Sequence, residues 1–181
     1  SYNWNLTYQH QLTRDTTVEV AYIGTVGNYL SRERDLNQLP TGTTFRPENS
    51  GVNVNALRPF KGYANIPMLE HSGRSTYNAF QLEINRRFSK GLSYGFAYTL
   101  SKTMDNNSAP RDGFIDVYNQ QLNWGKSSND SRHVMIMNYV WEMPFFNGSR
   151  GLVRALLGGW QASGVVQFQT GNPISIGNGD D

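Results

Sequence analysis

The strict alternation of apolar and polar residues between Leu92 and Leu100 constrains the fold of this chain more than any other feature. Every second residue is large and apolar and the residues between are small or polar: Leu92, Tyr94, Phe96, Tyr98 and Leu100 against Ser93, Gly95, Ala97 and Thr99. Hydrophobic residues make up 38% of the chain, so five in five arise by chance about once in a hundred. Because successive side chains of a strand point to opposite faces, this pattern predicts a β-strand with one apolar face.

The same two-residue period recurs along the chain and predicts six strands. They cover residues 3–12, 17–22, 80–88, 92–101, 133–143 and 160–169. Between the third and fourth, Ser89-Lys90-Gly91 predicts a tight turn in which Gly91 takes a positive φ. The segment 133–143 is ambiguous, because both of its faces carry apolar residues.

The predicted connections alternate in length. Residues 13–16 and 89–91 form short links, 144–159 a medium one with an apolar run at 152–157 compatible with one helical turn, and 24–76 and 104–132 long ones. Structureless connections of that length are unusual in a compact domain unless they are functional. Short turns alternating with long loops are typical of an up-and-down barrel in the bacterial outer membrane. The fold class we predict is therefore all-β: an antiparallel transmembrane β-barrel segment of about six strands, incomplete as a barrel, with long extracellular loops.

Composition excludes several classes of protein and function. The mean hydropathy is −0.56 and no apolar run reaches the length of a membrane-spanning helix. With no cysteine, disulfide frameworks, thiol catalysis and cysteine-ligated zinc are excluded. A net charge of +2 gives no indication of nucleic acid as a partner. We expect no signal peptide within the chain, because no basic region followed by an apolar one opens it.

Residue types favour a membrane barrel over a soluble sandwich. The polar faces carry Asn, Gln, Ser, Thr and Gly, which suit a lumen, rather than the Lys and Glu usual on soluble surfaces. Aromatic residues near strand ends predict interfacial belts: Tyr2, Trp4, Tyr22, Tyr98, Trp141 and Trp160. The alternative is a soluble or surface-attached β-rich binding or adhesion module, in which the apolar face from Leu92 to Leu100 would be buried against a second sheet.

Phrases spread along nearly the whole chain resemble the C-terminal barrel of TonB-dependent outer-membrane receptors, in particular the Oar-like group. In order, they are Val20-Ala21-Tyr22-Ile23-Gly24, Asn28-Tyr29-Leu30, Tyr77-Asn78-Ala79-Phe80-Gln81-Leu82, Arg86-Arg87-Phe88-Ser89-Lys90-Gly91-Leu92, Tyr98-Thr99-Leu100-Ser101-Lys102, Asp130-Ser131-Arg132-His133, Glu142-Met143-Pro144-Phe145, Gly158-Gly159-Trp160-Gln161 and Thr170-Gly171-Asn172-Pro173. The plug domain, the TonB-contacting segment, the regulatory-like domain and the terminal aromatic strand of such receptors have no counterpart here. Residues 1–181 therefore resemble a partial barrel domain, a middle piece without plug domain or signal peptide.

The resemblance implies a location in the bacterial outer membrane and energy-coupled uptake of a solute of the siderophore, glycan or peptide class. It implies as partners the outer-membrane lipid, the plug and other strands of the same receptor, and the TonB energy-coupling system acting through absent regions. We expect no enzyme activity, no cofactor and no metal, and the residues that contact solute are unknown.

Candidate catalytic and metal-binding residues are interpreted here as structural or solvated groups. Asp130-Ser131-Arg132-His133 lacks a nucleophile motif and is interpreted as a structural motif at the start of a strand, with Arg132 pairing with a carboxylate on a neighbouring strand. The histidines are too widely spaced for a metal motif: His10, His71 and His133. The loop acids lack the spacing of a calcium loop and are expected to be solvated: Asp105, Asp112, Asp116 and those of the tail 178–181.

The remaining charged and aromatic residues are assigned from their positions in the predicted barrel. Arg86, on the otherwise apolar face beside a turn, is expected near the periplasmic interface. We expect the lumenal charges to pair across strands rather than bind solute: Glu19, Glu83, Arg87 and Glu142. Three loop aromatics either stack on a sugar or siderophore or pack within the loops: Tyr63, Phe114 and Tyr118.

Overall fold

The computed structural model describes residues 1–109, 111–145, 151 and 158–174, and these form one antiparallel sheet. Its strands are β1 (Tyr2–Thr13), β2 (Thr16–Asp35), β3 (Pro67–Ser89), β4 (Leu92–Asp105), β5 (Gly125–Lys126), β6 (His133–Glu142) and β7 (Gln161–Gln169). Their spatial order is β1-β2-β3-β4-β6-β7, with the two-residue β5 paired to the end of β4. The all-β, up-and-down prediction is confirmed, and β5 is a strand that the sequence did not indicate.

The long loops are shorter than predicted, because β2 and β3 continue far beyond the alternating segments. Residues 24–35 and 67–76, expected to be loop, pair with each other up to Asp35 and Pro67. The pairing register shifts between Asn28 and Leu30 and again between Leu30 and Arg32. Each shift interrupts the two-residue period, which is why this extension carries no strand signal in the sequence.

The remaining long connections contain only short helices. The first long loop, residues 36–66, includes a 3-10 helix at Pro47–Asn49 and α1 at Val54–Leu57. The second long loop, residues 106–132, includes a 3-10 helix at Gln120–Asn123 and the strand β5. No described helix is both long and apolar enough to cross a membrane.

One face of the sheet carries rows of mainly apolar residues running across the strands. The registers align one row as Tyr8, Val20, Leu82, Tyr98, Met135 and Phe168. The next row toward the short turns is His10, Val18, Ile84, Phe96, Met137 and Val166. The rows between Leu92 and Leu100 together cover about 27 Å along β4. Because the strands of an outer-membrane barrel are tilted, this length is comparable to the height of the barrel's apolar band. We call this surface the membrane band.

The register resolves the ambiguous strand. Met135, Met137 and Trp141 of β6 lie opposite Tyr98, Phe96 and Leu92, so they share the membrane band. Val134 and Ile136 lie opposite Thr99 and Ala97 and therefore share the polar face. β6 carries apolar residues on both faces, but its pairing with β4 fixes which of them face outward.

The tight turns and aromatic belts follow the sequence expectations. Lys90 (φ 52°) and Gly91 (φ 78°) connect β3 to β4 in the left-handed conformation that a two-residue hairpin turn requires. Tyr22 lies in the row of Leu100 at the long-loop end of the membrane band, Trp4 lies one row above it, and Trp141 lies at the other end. Tyr98 lies one row inside the end row, opposite Leu82.

The sheet has almost no apolar core. Among the described residues the buried hydrophobic ones are Ala21, Ala79 and Phe114, and the apolar face is exposed or half-buried. Among the described residues no second sheet covers the side chains from Leu92 to Leu100, contrary to the soluble-sandwich alternative. The described part of β1 does not pair with β7, so the sheet has two open edges. The apolar run 152–157 lies outside the described residues.

Candidate functional site

The two long loops meet each other above the membrane band, at the end of the sheet opposite the tight turns. Gln38 of the first loop connects them: its Nε2 donates to the carbonyl of Ile115 over 3.0 Å, and its Oε1 accepts from the amide of Val117 over 2.7 Å. The Tyr118 hydroxyl donates to the Gln38 carbonyl over 2.9 Å. We call this region, the two long loops with the extensions of β2 and β3, the mouth.

Asn37 organises the first long loop from a fully buried position (0% exposed). Its Nδ2 lies within 2.9–3.1 Å of the carbonyl oxygens of Phe60, Tyr63 and Ala64, and its Oδ1 accepts from the amide of Phe60 over 2.7 Å. Its own amide donates to Asp35 over 2.8 Å. One side chain thus ties the end of β2 to the far end of the loop, satisfying backbone groups that would otherwise lack partners.

Arg32 and Phe114 join the second long loop to β2. The Phe114 ring lies flat against the guanidinium, with Arg32 Cζ 3.3 Å from the ring centroid, and both side chains are buried. Arg32 is 0% exposed, and its Nε, Nη1 and Nη2 have no hydrogen-bond partner among the described residues. Removal from water lowers the pKa of Arg32, and the neighbouring Glu70 raises it in part. A cation–π contact is strongest when desolvated in this way.

A β-bulge explains why Arg32 reaches the loops. Tyr29 takes a positive φ of 59°, and the register shift beside it ends the regular alternation. Gly27 and Leu30 lie on the same face of the sheet, although residues three apart lie on opposite faces of a regular strand. A Cβ on Gly27 would lie 3.3 Å from a Leu30 methyl and 2.7 Å from Ser75 Oγ. The bulge therefore turns the even-numbered residues beyond it, Arg32 included, to the lumenal side.

Two ion pairs lie around the contact between Arg32 and Phe114. Arg34 Nε lies 2.9 Å from Glu70 on β3, and its guanidinium lies 5.0 Å from the Phe114 centroid. Arg58 of the first loop lies 3.4 Å from Asp35 and donates to the Asn37 carbonyl over 2.6 Å. These half-buried pairs hold the loop base and the strand extension in one arrangement.

Two cavities of the mouth have aromatic side chains in their walls, and a further one of about 320 Å³ does not. One, of about 440 Å³, lies between the two loops, with Gln38, Arg58 and Phe114 in its wall. The other, of about 720 Å³, has a polar and aromatic lining: Asn28, Tyr29, His71, Ser72, Arg74, Asn106, Gln120, Gln121 and Trp124. Both volumes lie in the range of small-molecule sites. Amides, an arginine and open aromatic rings can bind a polar solute, and His71 of the larger cavity lies with its Nδ1 3.2 Å from the Ser31 hydroxyl.

The loop aromatics divide between the two predicted roles. Phe114 packs within the structure, against Arg32. Tyr63 and Tyr118 keep exposed rings, 68% and 57%, so both remain free to stack on a solute.

The prediction that the lumenal charges pair across strands is wrong for the described residues. The ion pairs found there involve Arg34, Arg58 and their partners, and none of the four predicted charges: Glu19, Glu83, Arg87 and Glu142. Glu19 and Glu83 lie directly opposite one another on β2 and β3. Arg86 lies beside the β3–β4 turn as expected, opposite Tyr94.

Asp130, Ser131 and His133 have the contacts of a structural motif. Asp130 is buried and accepts from the amide of Thr103 over 2.6 Å, while the Ser131 carbonyl accepts from the Ser101 hydroxyl over 2.9 Å. His133 Nδ1 lies 2.8 Å from the Tyr98 hydroxyl. The expected ion pair of Arg132 is absent from the described residues, and its side chain is exposed.

Metal ligands do not converge in the part of the chain that the structure describes, where no three His, Asp or Glu side chains come together. The loop acids all accept hydrogen bonds near their own loop; Asp105 is buried, contrary to the expected solvation, whereas Asp112 is exposed as expected. Asp105 is buried and accepts from the Ser108 hydroxyl over 3.0 Å, and Asp112 accepts from the amide of Ala109 over 2.8 Å. Asp116 accepts from the amide of Tyr118 over 2.7 Å. The tail 178–181 lies outside the described residues.

Comparison with known families agrees with the outward apolar rows. A family model described as an outer membrane beta barrel domain matches residues 1–181. This chain belongs to that family. No curated protein and no solved structure matches it significantly. As a member of the outer membrane beta barrel domain family, the protein lies in the bacterial outer membrane, with the membrane band toward lipid and the polar face toward the lumen.

Proposed function

We propose that this chain is part of the barrel of a TonB-dependent receptor of the Oar-like group, and that its mouth binds a solute for energy-coupled uptake. The observation that carries the proposal is the direct joining of the two long loops through Gln38, together with the contact of Phe114 in the second loop with Arg32 on β2. Loops that only connect strands need no such contacts, whereas a binding site must hold its polar groups in fixed positions.

The solute belongs to the siderophore, glycan or peptide class. The two cavities support this choice, because their walls combine amides and arginines with aromatic rings such as Trp124. Such linings suit ligands with many hydrogen-bonding groups and some apolar surface. The partners would be the surrounding lipid, the plug and remaining strands of the same receptor, and the TonB system, without nucleic acid. No catalytic step and no cofactor are part of this proposal.

Uptake by the intact receptor tests the proposal. Cells with and without the receptor gene would be given radiolabelled ferric siderophores, oligosaccharides and peptides, and accumulation would be measured before and after a protonophore. The expected result is receptor-dependent accumulation of one class that the protonophore abolishes. Accumulation that persists after the protonophore would identify a passive pore, and the absence of receptor-dependent accumulation for all three classes would also contradict the proposal.

A further inference from the structure

Unpaired cations lie on the outward face of the sheet, just above the membrane band. The last apolar row of the band contains Tyr22, Phe80 and Leu100. The next outward row ends in Lys102, opposite Asn78, and the row above that places Lys126 opposite Met104. Lys102 and Lys126 are both exposed. This height corresponds to the headgroup region of the leaflet on the long-loop side, which is the outer leaflet.

Arg132 brings a further cation to the same place. The Ser101 amide donates to the Arg132 carbonyl over 3.0 Å, which holds Arg132 beside the end of β4. Arg132 and Lys102 both line a shallow cavity of about 140 Å³, whose other walls include Tyr22, Phe80 and Leu100. The surface of this cavity is almost entirely apolar, and two residues with cationic side chains lie at its edge.

No carboxylate lies within ion-pair distance of Lys102 or Arg132 among the described residues, whereas Lys126 lines a cavity of about 320 Å³ together with Asp105 and Asp112. Lys102, Lys126 and Arg132 form no ion pair there. The acids that neighbour them in sequence, Asp105 and Asp130, are buried and accept hydrogen bonds from Ser108 and Thr103. The outward rows above the band contain no Asp or Glu: Trp4, Gly24, Asn78 and Lys102 in one, and Tyr2, Val26, Thr76, Met104 and Lys126 in the other.

We propose that Lys102 and Arg132 bind the phosphate of a phosphorylated glycolipid in the outer leaflet, with an acyl chain against Phe80 and Leu100. Lys126 adds positive charge above the site. A phosphate attached to an acyl chain is the ligand chemistry that fits two cations at the edge of an apolar surface. Lys102 lies on the outward face of the sheet and Arg132 at the end of the second long loop beside it, and neither residue lines the two cavities proposed to bind the solute.

Retention of lipid by the intact membrane protein tests this site. The protein would be reconstituted in phosphatidylcholine nanodiscs containing a small fraction of diphosphorylated lipid A, and bound lipid A would be measured by native mass spectrometry. Each of K102Q and R132Q should weaken binding about fivefold, and the double variant about 25-fold. The matched control K61Q/R111Q removes the same charge from the two loops and should leave binding unchanged.

Three further measurements distinguish a phosphate site at Lys102 and Arg132 from a general effect of charge or a local folding defect. The variant K102R/R132K should retain binding, which shows that charge rather than local folding is tested. Dephosphorylated lipid A should bind wild type no better than it binds the double variant. Unchanged binding by K102Q/R132Q, an equal loss in K61Q/R111Q, or full displacement of the lipid by inorganic phosphate would overturn the proposal.

Discussion

Through most of the membrane band the strands pair in regular register, with one shift between Arg86 and Ser89 beside the β3–β4 turn, whereas in the mouth the pairing of β2 and β3 shifts twice within a few residues. The band presents rows such as Val20, Leu82 and Tyr98, with few side-chain hydrogen bonds between strands. In the mouth, buried Asn37 and Phe114 hold the loops in place. The band therefore depends on its lipid surroundings and on backbone pairing, while the mouth depends on specific side chains, and substitutions in the two regions should have different effects.

The largest effect is expected for a charge in the middle of the membrane band. Phe96 lies on the lipid face halfway between Leu92 and Leu100, so F96K should destabilise the folded, inserted protein by up to about 4 kcal/mol. The matched variant A97K places the same charge on the next residue, which faces the lumen, and should cost far less. Urea titration of the intact protein in bilayers measures both; equal destabilisation would contradict the assignment of faces.

A smaller effect is expected where the second loop meets β2. F114A removes a buried ring and its contact with Arg32, and should destabilise the mouth by about 3 kcal/mol. R32M keeps the packing but removes a buried charge that lacks hydrogen-bond partners among the described residues, so it should be close to neutral. Hydrogen exchange of the Val117 and Tyr118 amides measures both changes. Faster exchange in R32M than in F114A would show that the charge, not the ring, holds the loop.

The smallest of the three effects is expected at Asn37. N37A removes its bonds to the Phe60, Tyr63 and Ala64 carbonyls, but water can reach these exposed positions, so the cost should be about 2 kcal/mol. Exchange of the Phe60 amide should accelerate while strand amides of the band stay protected. N65A, at an exposed asparagine of the same loop, should leave exchange unchanged. Loss of protection in the band would show that the two regions are coupled.

The same contrast explains what the sequence could predict. Within the band, the alternation from Leu92 to Leu100 predicts both the strand and its lipid face, because a regular strand that crosses lipid has an apolar residue at every second position. Beyond Gly24 the bulge at Tyr29 breaks that period, so the strand extension to Asp35 was predicted as loop. The two faces of β6 can be assigned only from its pairing register with β4, and the sequence of one strand does not determine that register.

The mouth could be predicted only in outline. The sequence identifies Phe114 as a loop aromatic. Its partner Arg32, whose Cζ lies 3.3 Å from the centroid of the Phe114 ring, is distant in sequence, and no pattern around Arg32 indicates this contact. Asn37 and Gln38 were missed for the same reason, since an asparagine or glutamine in a polar loop carries no signal until its distant partners are known. Contacts of this kind depend on how two loops fold together, which periodicity does not describe.

The central claim is that the even-numbered residues of β4 face lipid and the odd-numbered ones face the lumen. The chain has no cysteine, so single cysteines at positions 92–100 can carry a spin label in the membrane-inserted protein. Accessibility to oxygen, which concentrates in lipid, and to a water-soluble nickel complex would be measured at each position. We predict oxygen maxima at 92, 94, 96, 98 and 100 and nickel maxima at the residues between them. The same accessibility at all nine positions, or maxima on the opposite residues, would contradict the claim.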